Sequence, residues 1–320
     1  MTEPAPFFAE VADAPDGACV AWLTAPDGVR LRAATWAGGA RGTAILFPGR
    51  TEYIEKYGQV IGRLVERGLS VAVVDWRGQG LSDRLAANPM LGHVEDFRDY
   101  QRDVAALLGW EAVATLPRPF HLVCHSMGGC VGLRSMLERA DFASAIFSAP
   151  MWHLRMRMAT REITARATKF ALMMGLGARL MPGASARPTP LVNGFEGNAL
   201  TSDPEQFARS VRQITAHPDL SLGGPSMQWT RAALEEMARL YIAPVPRLPV
   251  LALVGSEETV VSTSVIRRQV AAMADGAFTT LAGARHELFM ESPTVQTELW
   301  TRIDGFLTEV ESSAPKRAAN

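Results

Sequence analysis

The chain has 320 residues, 48% hydrophobic and 20% charged, an ordinary globular composition that allows a sizeable core. Its formal net charge of −1 excludes a global pull toward nucleic acid or an acidic membrane, so any such preference must be local. The three cysteines, Cys19, Cys124 and Cys130, offer neither an even disulfide framework nor a CxxC or Cys/His metal pattern, and fit a reducing compartment.

The N-terminal stretch MTEPAPFFAEVADAPDG has neither the basic nor the apolar region of a signal peptide. No apolar run approaches the ~18 residues that span a bilayer, so a cytoplasmic protein is expected. Residues 18–23 and 30–36 read as a hairpin around APDG. TAILF (43–47) is an expected buried strand. It leads into a helix with Tyr57, Val60, Ile61, Leu64 and Val65 on one face, stopped at Gly68. SVAVVDW (70–76) is the next strand. A helix is expected from Asp96, as N-cap, to about Glu111. Then follow the strand FHLVCH (120–125), a serine turn, a helix through Arg139 and a strand over 143–149.

The interval 151–245 breaks this rhythm. Residues 151–187 carry seven Arg or Lys residues against one acid, Glu162, and six of the chain's 14 methionines. Ile163, Ala167, Phe170 and Met174 make an apolar stripe at helical spacing. The strand–helix rhythm resumes with PVLALVG (249–255), a helix over 262–275, AFTTLAG (277–283) and a closing helix over 294–311. The alternation predicts an α/β fold, a mostly parallel sheet flanked by helices. Residues 1–150 and 246–311 form its core, 151–245 an inserted helical cap, and 312–320 a frayed tail. The cap is expected over the carboxyl ends of the strands, where open α/β sheets bind ligands.

The stretch HLVCHSMGG (121–129) holds the chemistry. A strand stops at Ser126 and a helix begins behind Gly128 and Gly129. The arrangement resembles the nucleophile elbow of the α/β-hydrolases, G-x-S-x-G, with Cys124 in place of the first glycine. The resemblance implies an acid after a later strand and a histidine after the last strand, in that chain order. His286, in GARHELF, follows the final strand. His93 and His121 precede the serine, and His153 and His217 lie in the cap interval. His125 should point away from the serine hydroxyl by strand alternation. Counting from Gly255, the family pattern G-x-x-D points to Glu258 as the acid, with Glu257 as its rival. The oxyanion hole implied by the resemblance uses the backbone N–H groups of Arg50 and Met127.

The loops FPGRTEYIEKY, DWRGQGLSDR, GHVEDFRDYQRD, NALTSDPEQF, GGPSMQW and GARHELFMES resemble the bacterial lysophospholipase branch. That branch is related to monoacylglycerol lipases and labelled a serine aminopeptidase-type hydrolase. The resemblance implies hydrolysis of a carboxylic ester on a small single-chain amphiphile, with no metal and no organic cofactor. Asp75, Arg77, Gly78, His93 and Asp96 read as loop architecture. The Met-rich, basic cap suits a flexible acyl chain and peripheral contact with an anionic membrane surface. Two rivals stay open. An aminopeptidase or small-ester hydrolase would use the same triad, an aminopeptidase needing a cap carboxylate such as Glu196, Asp203 or Glu205 to hold an α-amine. A non-catalytic ligand-binding homologue would have lost a triad member.

Overall fold

The computed structural model describes residues 2–317. Nine strands form one sheet: β1 Glu3–Pro4, β2 Cys19–Thr24, β3 Arg30–Trp36, β4 Thr43–Phe47, β5 Ser70–Val74, β6 Phe120–His125, β7 Phe142–Ser148, β8 Val250–Gly255 and β9 Gly276–Leu281. Their order is β1-β2-β3-β5-β4-β6-β7-β8-β9. The strands from β5 to β9 in that order run parallel, and β3, β2 and β1 extend the β5 edge antiparallel.

Strands covered on both faces lose the polar alternation of a half-exposed strand, and β4, β5, β6 and β8 are buried at every position. In β4, Ile45 and Phe47 enter one hydrophobic cluster while Ala44 and Leu46 enter the other. The helices Tyr100–Gly109, Met127–Glu138, Met227–Tyr241 and Thr263–Ala271 cover the first face. The helices Gly58–Glu66 and Pro293–Arg317 cover the second. The closing helix thus takes residues 312–317 of the expected tail, and 318–320 lie outside the described residues.

The helix expected from Asp96 divides. Asp96 accepts from the Arg98 N–H at 2.9 Å and caps a short 3₁₀ turn, Phe97–Asp99, ahead of Tyr100–Gly109. Trp110 is extended (ψ 126°) and buried, and the segment Glu111–Ala114 restarts the helix. Turning the chain out at Trp110 buries its indole in the first cluster, which outweighs one continuous run of helical hydrogen bonds.

β7 and β8 pair directly, Ala145 opposite Val250, although residues 149–249 run between them. That stretch holds the helices Met158–Met173, Thr189–Asn193, Pro204–Ala216 and Met227–Tyr241. The last joins the first core cluster through Trp229, Ala233, Met237 and Leu240. Met158–Met173 lies on it with Thr168 and Ala171 buried. The apolar stripe faces outward instead: Ile163, Phe170 and Met174 are 67%, 64% and 61% exposed. Small side chains, not the large apolar ones, make the helix–helix contact.

Candidate active site

Ser126 stands between β6 and the helix Met127–Glu138 at φ +47°, ψ −113°. A non-glycine residue held at positive φ is strained and needs its surroundings to hold it. Ser126 N–H donates to the Ser148 carbonyl (3.1 Å), and the Ser126 carbonyl accepts from Gly129 N–H (2.9 Å) and Met151 N–H (2.8 Å). Two glycines make that packing possible. A Cβ at Gly128 would stand 2.1 Å from the Phe47 carbonyl oxygen, and one at Gly129 would stand 2.5 Å from Pro150 Cβ. Cys124, where the hydrolase pattern has glycine, is accommodated by a third. A Cβ at Gly132 would stand 2.5 Å from Cys124 Sγ, so the space taken by the thiol is given up by the helix.

His286 follows β9. Its Nε2 lies 2.8 Å from Ser126 Oγ and its Nδ1 lies 2.7 Å from Glu258 Oε2. With the carboxylate ionised, Nδ1–H donates to Glu258 and Nε2 is left to accept from the serine hydroxyl. Glu258 follows β8 and is buried. Its Oε1 accepts from the N–H groups of Val260 (2.5 Å) and Val261 (3.1 Å). Burial raises the Glu258 pKa, but His286 and these two donors outweigh it and hold it below the usual carboxylate range. Glu257 is exposed, with its carboxylate 3.6 Å from Arg285 Nε. One loop therefore presents two adjacent glutamates, and only Glu258 meets the histidine.

The loop after β4 completes the site. The backbone N–H groups of Arg50 and Met127 donate to no other group among the described residues. Gly49 N–H donates to the Glu52 carboxylate, and the Gly49 carbonyl accepts from Gln79 Nε2 at 3.0 Å. Glu52 also accepts from Tyr57 O–H, and Lys56 Nζ lies 3.0 Å from Glu52 and 2.6 Å from Glu287. His125 belongs to the same neighbourhood. Its ring centroid is 4.9 Å from that of His286, and Glu52 lies 3.9 Å from its Nε2. Burial holds His125 neutral, its pKa pushed down to about 4 against the pull of Glu52. Its Nδ1 lies 3.1 Å from the Ser148 carbonyl, and it makes no hydrogen bond to the Ser126 hydroxyl among the described residues. The Glu52–Lys56 pair carried a readable signal, i,i+4 spacing in TEYIEKY, and sequence reasoning passed over it.

Ser126 and His286 open onto a cavity of about 270 Å³. Its wall is mostly apolar and comes largely from residues between β7 and β8, among them Pro188, Leu200, Ile214, Leu222 and Trp229. The His286 loop is bonded to that stretch: His286 N–H donates to Ala199 (3.3 Å) and Glu287 N–H to Leu200 (2.7 Å). Arg285 Nη1 donates to the carbonyls of Asn198 and Thr201, both at 3.0 Å. Asp75, Arg77, His93 and Asp96 serve structure: Asp75 accepts from Arg32 and from Ile54 and Leu81 N–H, Arg77 pairs with Asp27 and Asp103, and His93 bonds Ser226. Among the described residues, no group of His, Cys, Asp and Glu could hold a metal ion. No helix among them is long and apolar enough to cross a membrane.

Known proteins share this architecture and sequence. The lysophospholipase L2 of Escherichia coli (strain K12) is 28% identical over 292 residues, covering 86% of this chain and 82% of that protein. A soluble variant of monoglyceride lipase from Saccharomyces cerevisiae, solved with a substrate analogue, superposes with a TM-score of 0.71 at 19% identity, over 96% of this chain and 100% of that one. A thermostable carboxyl esterase from Bacillus coagulans, solved with glycerol, gives 0.72 at 17% identity, over 92% and 99%. At these identities the two structures establish the α/β-hydrolase fold. The Hydrolase_4 family model, described as serine aminopeptidase, S33, matches residues 38–293, and the chain belongs to that family.

Proposed function

We propose that this chain is a serine hydrolase cleaving carboxylic esters of single-chain lipids, as lysophospholipases and monoacylglycerol lipases do. The observation that carries the reading is the hydrogen-bonded line Glu258–His286–Ser126 ending in a mostly apolar cavity beside two uncommitted backbone N–H groups. His286 takes the proton of Ser126 as Oγ attacks the ester carbonyl carbon. The N–H groups of Arg50 and Met127 hold the oxyanion. The intermediate collapses, the alcohol leaves with the proton from His286, and the acyl group stays on Ser126. His286 then deprotonates water, which attacks the acyl-enzyme and releases the fatty acid. Glu258 orients the imidazole and stabilises its cation throughout. The name of the Escherichia coli relative, lysophospholipase L2, supports the substrate class.

The stretch between β7 and β8 acts as a cap in this reading, since it supplies much of the cavity wall. Its outer helix supports peripheral membrane contact: Met158, Ile163, Phe170 and Met173 are exposed beside exposed Arg157, Arg166 and Lys169. The aminopeptidase alternative, suggested by the family's description, needs a free carboxylate at the cavity. Glu52 and Glu287 line it but share Lys56. Asp203 caps a helix, Glu205 pairs with Arg212, and neither they nor Glu196 line the cavity. A ligand-binding homologue without catalysis leaves the intact hydrogen-bonded line unexplained.

The test is fatty-acid release from lysophosphatidylcholine and monoacylglycerol, with Ser126→Ala run beside the wild type. The variant should lose about 10³-fold or more in kcat and keep its melting temperature. Equal turnover by both proteins would remove Ser126 from the reaction.

A further inference from the structure

Arg50 has a backbone role in the proposed oxyanion hole, but its side chain is unexplained by that role. Arg50 lines the same cavity as Ser126 and His286. Its Nη2 donates to the Gly223 carbonyl at 2.5 Å, and the guanidinium lies 5.3 Å from the centroid of the Trp229 ring. Its Nε is buried and has no hydrogen-bond partner. Both neighbours are uncharged.

The chain treats its other buried cations differently. Arg32 sits between Glu55 and Asp75, Arg77 between Asp27 and Asp103, and Lys56 between Glu52 and Glu287. Arg209 pairs with Asp13. Arg84 has no carboxylate but gives its protons to the carbonyls of Gly78, Gly80, Pro89, Asp219 and Ser221. Arg50 makes no ion pair among the described residues and holds one carbonyl. Loss of solvent pushes its pKa down to about 10, so it remains a cation at neutral pH. A guanidinium withdrawn from water without a counter-ion is costly, and its forked donors match a phosphate.

The position of the charge indicates where the anion sits on the substrate. The Arg50 N–H marks the ester oxygen, and the side chain extends from the same Cα. In a lysophospholipid, the phosphate lies across the glycerol from the ester carbonyl. We propose that the Arg50 guanidinium binds the phosphate of the substrate's head group, so that the enzyme selects phosphate-bearing lysolipids over uncharged monoacylglycerols. The consequence for turnover and the placing of the phosphate relative to the ester rest on the hydrolase reading above; the affinity of the uncompensated guanidinium for a phosphate does not.

The test therefore measures binding without reaction. Calorimetry on Ser126→Ala would compare two ether lipids that cannot be hydrolysed, 1-O-octyl-glycero-3-phosphocholine and 1-O-octylglycerol. The phosphate-bearing lipid should bind at least about tenfold more tightly. That preference should collapse in Ser126→Ala/Arg50→Met and in Ser126→Ala/Arg50→Gln, which retains a donor for Gly223. Arg50→Lys should restore part of it. Equal binding of both lipids to Ser126→Ala, or a preference that persists in folded Arg50→Met or Arg50→Gln, overturns the assignment. In turnover, the kcat/KM ratio of lysophosphatidylcholine to monoacylglycerol should fall at least about tenfold in Arg50→Met. A strut role for Arg50 would lower both values together and leave the ratio unchanged. A wild type that cleaves neither ester yet shows the Arg50-dependent preference would retain the phosphate site and discard the hydrolase.

Discussion

That Ser126 and His286 would meet was legible in the sequence, because strand order places both at the same end of the sheet. Between Glu257 and Glu258, side-chain direction favours Glu258 as the proposed acid, and loop spacing only approximates that direction. Exchange to Ala at Glu258 should lower kcat about 10²-fold or more, whereas Glu257→Ala should stay within about twofold; steady-state kinetics on one soluble ester compares them. Cys124 was legible as a departure from pattern, but its compensation was not, because Gly132 is the sixth residue of the following helix, well beyond the turn. Gly132→Ala should destabilise the protein by about 1–3 kcal/mol through overpacking against Cys124 Sγ. In a Cys124→Ala background, the same change should cost far less, as read from urea unfolding of the four proteins in the cycle. Full additivity would mean that the two side chains do not compete for space. His125 and the Arg50 side chain escaped the sequence reading for a common reason. Each depends on what the chain brings near it from elsewhere, not on its own neighbours.

At the scale of elements, hydrophobic period located the strands and most helices but misjudged what some of them bury. The helix Met158–Met173 has an apolar stripe at helical spacing, yet Thr168 and Ala171 are the residues it buries. Hydropathy ranks residues by size of apolar surface, whereas close helix contact selects small ones. The exposed stripe and its neighbours Met158 and Met173, 76% and 77% accessible, are the surface that the proposed membrane contact would use. Phe170→Asp combined with Met173→Asp should reduce sedimentation with phosphatidylglycerol vesicles at least about tenfold, while hydrolysis of a water-soluble short-chain ester stays unchanged. Undiminished vesicle binding would transfer the membrane contact to another surface. The break at Trp110 is of the same kind: local propensity favours continuing the helix, and a distant cluster claims the indole.

At the scale of the whole molecule, two of the buried histidines among the described residues, His121 and His125, are each pushed to a pKa of about 4 by loss of solvent. Their folded values lie below the ordinary ~6.5. The unfolded chain therefore binds more protons between those limits, and the stability held above pH ~6.5 is lost as pH falls toward 4. Each contributes up to about 3 kcal/mol to that loss. Asp103, raised to about 6 by burial, acts in the opposite sense over part of the range, so the clean measurement is a difference. His121 is not among the residues lining the cavity and bonds Ser144 at 2.8 Å. His121→Asn should lose less melting temperature than the wild type between pH 7.5 and 5. Parallel curves would mean that His121 is not a source of acid sensitivity. A last consequence concerns how the cavity can change shape. Residues 198–202 are bonded to the His286 loop at five backbone groups, the carbonyls of Asn198, Ala199, Leu200 and Thr201 and the N–H of Ser202, whereas Pro188, Thr189 and Pro190 line the cavity and make no such bonds among the described residues. Displacing 198–202 pulls His286 away from Ser126 or severs those bonds; displacing 188–190 does neither. The wall therefore has a fixed jamb and a separate leaf, and passage through it need not part Ser126 from His286.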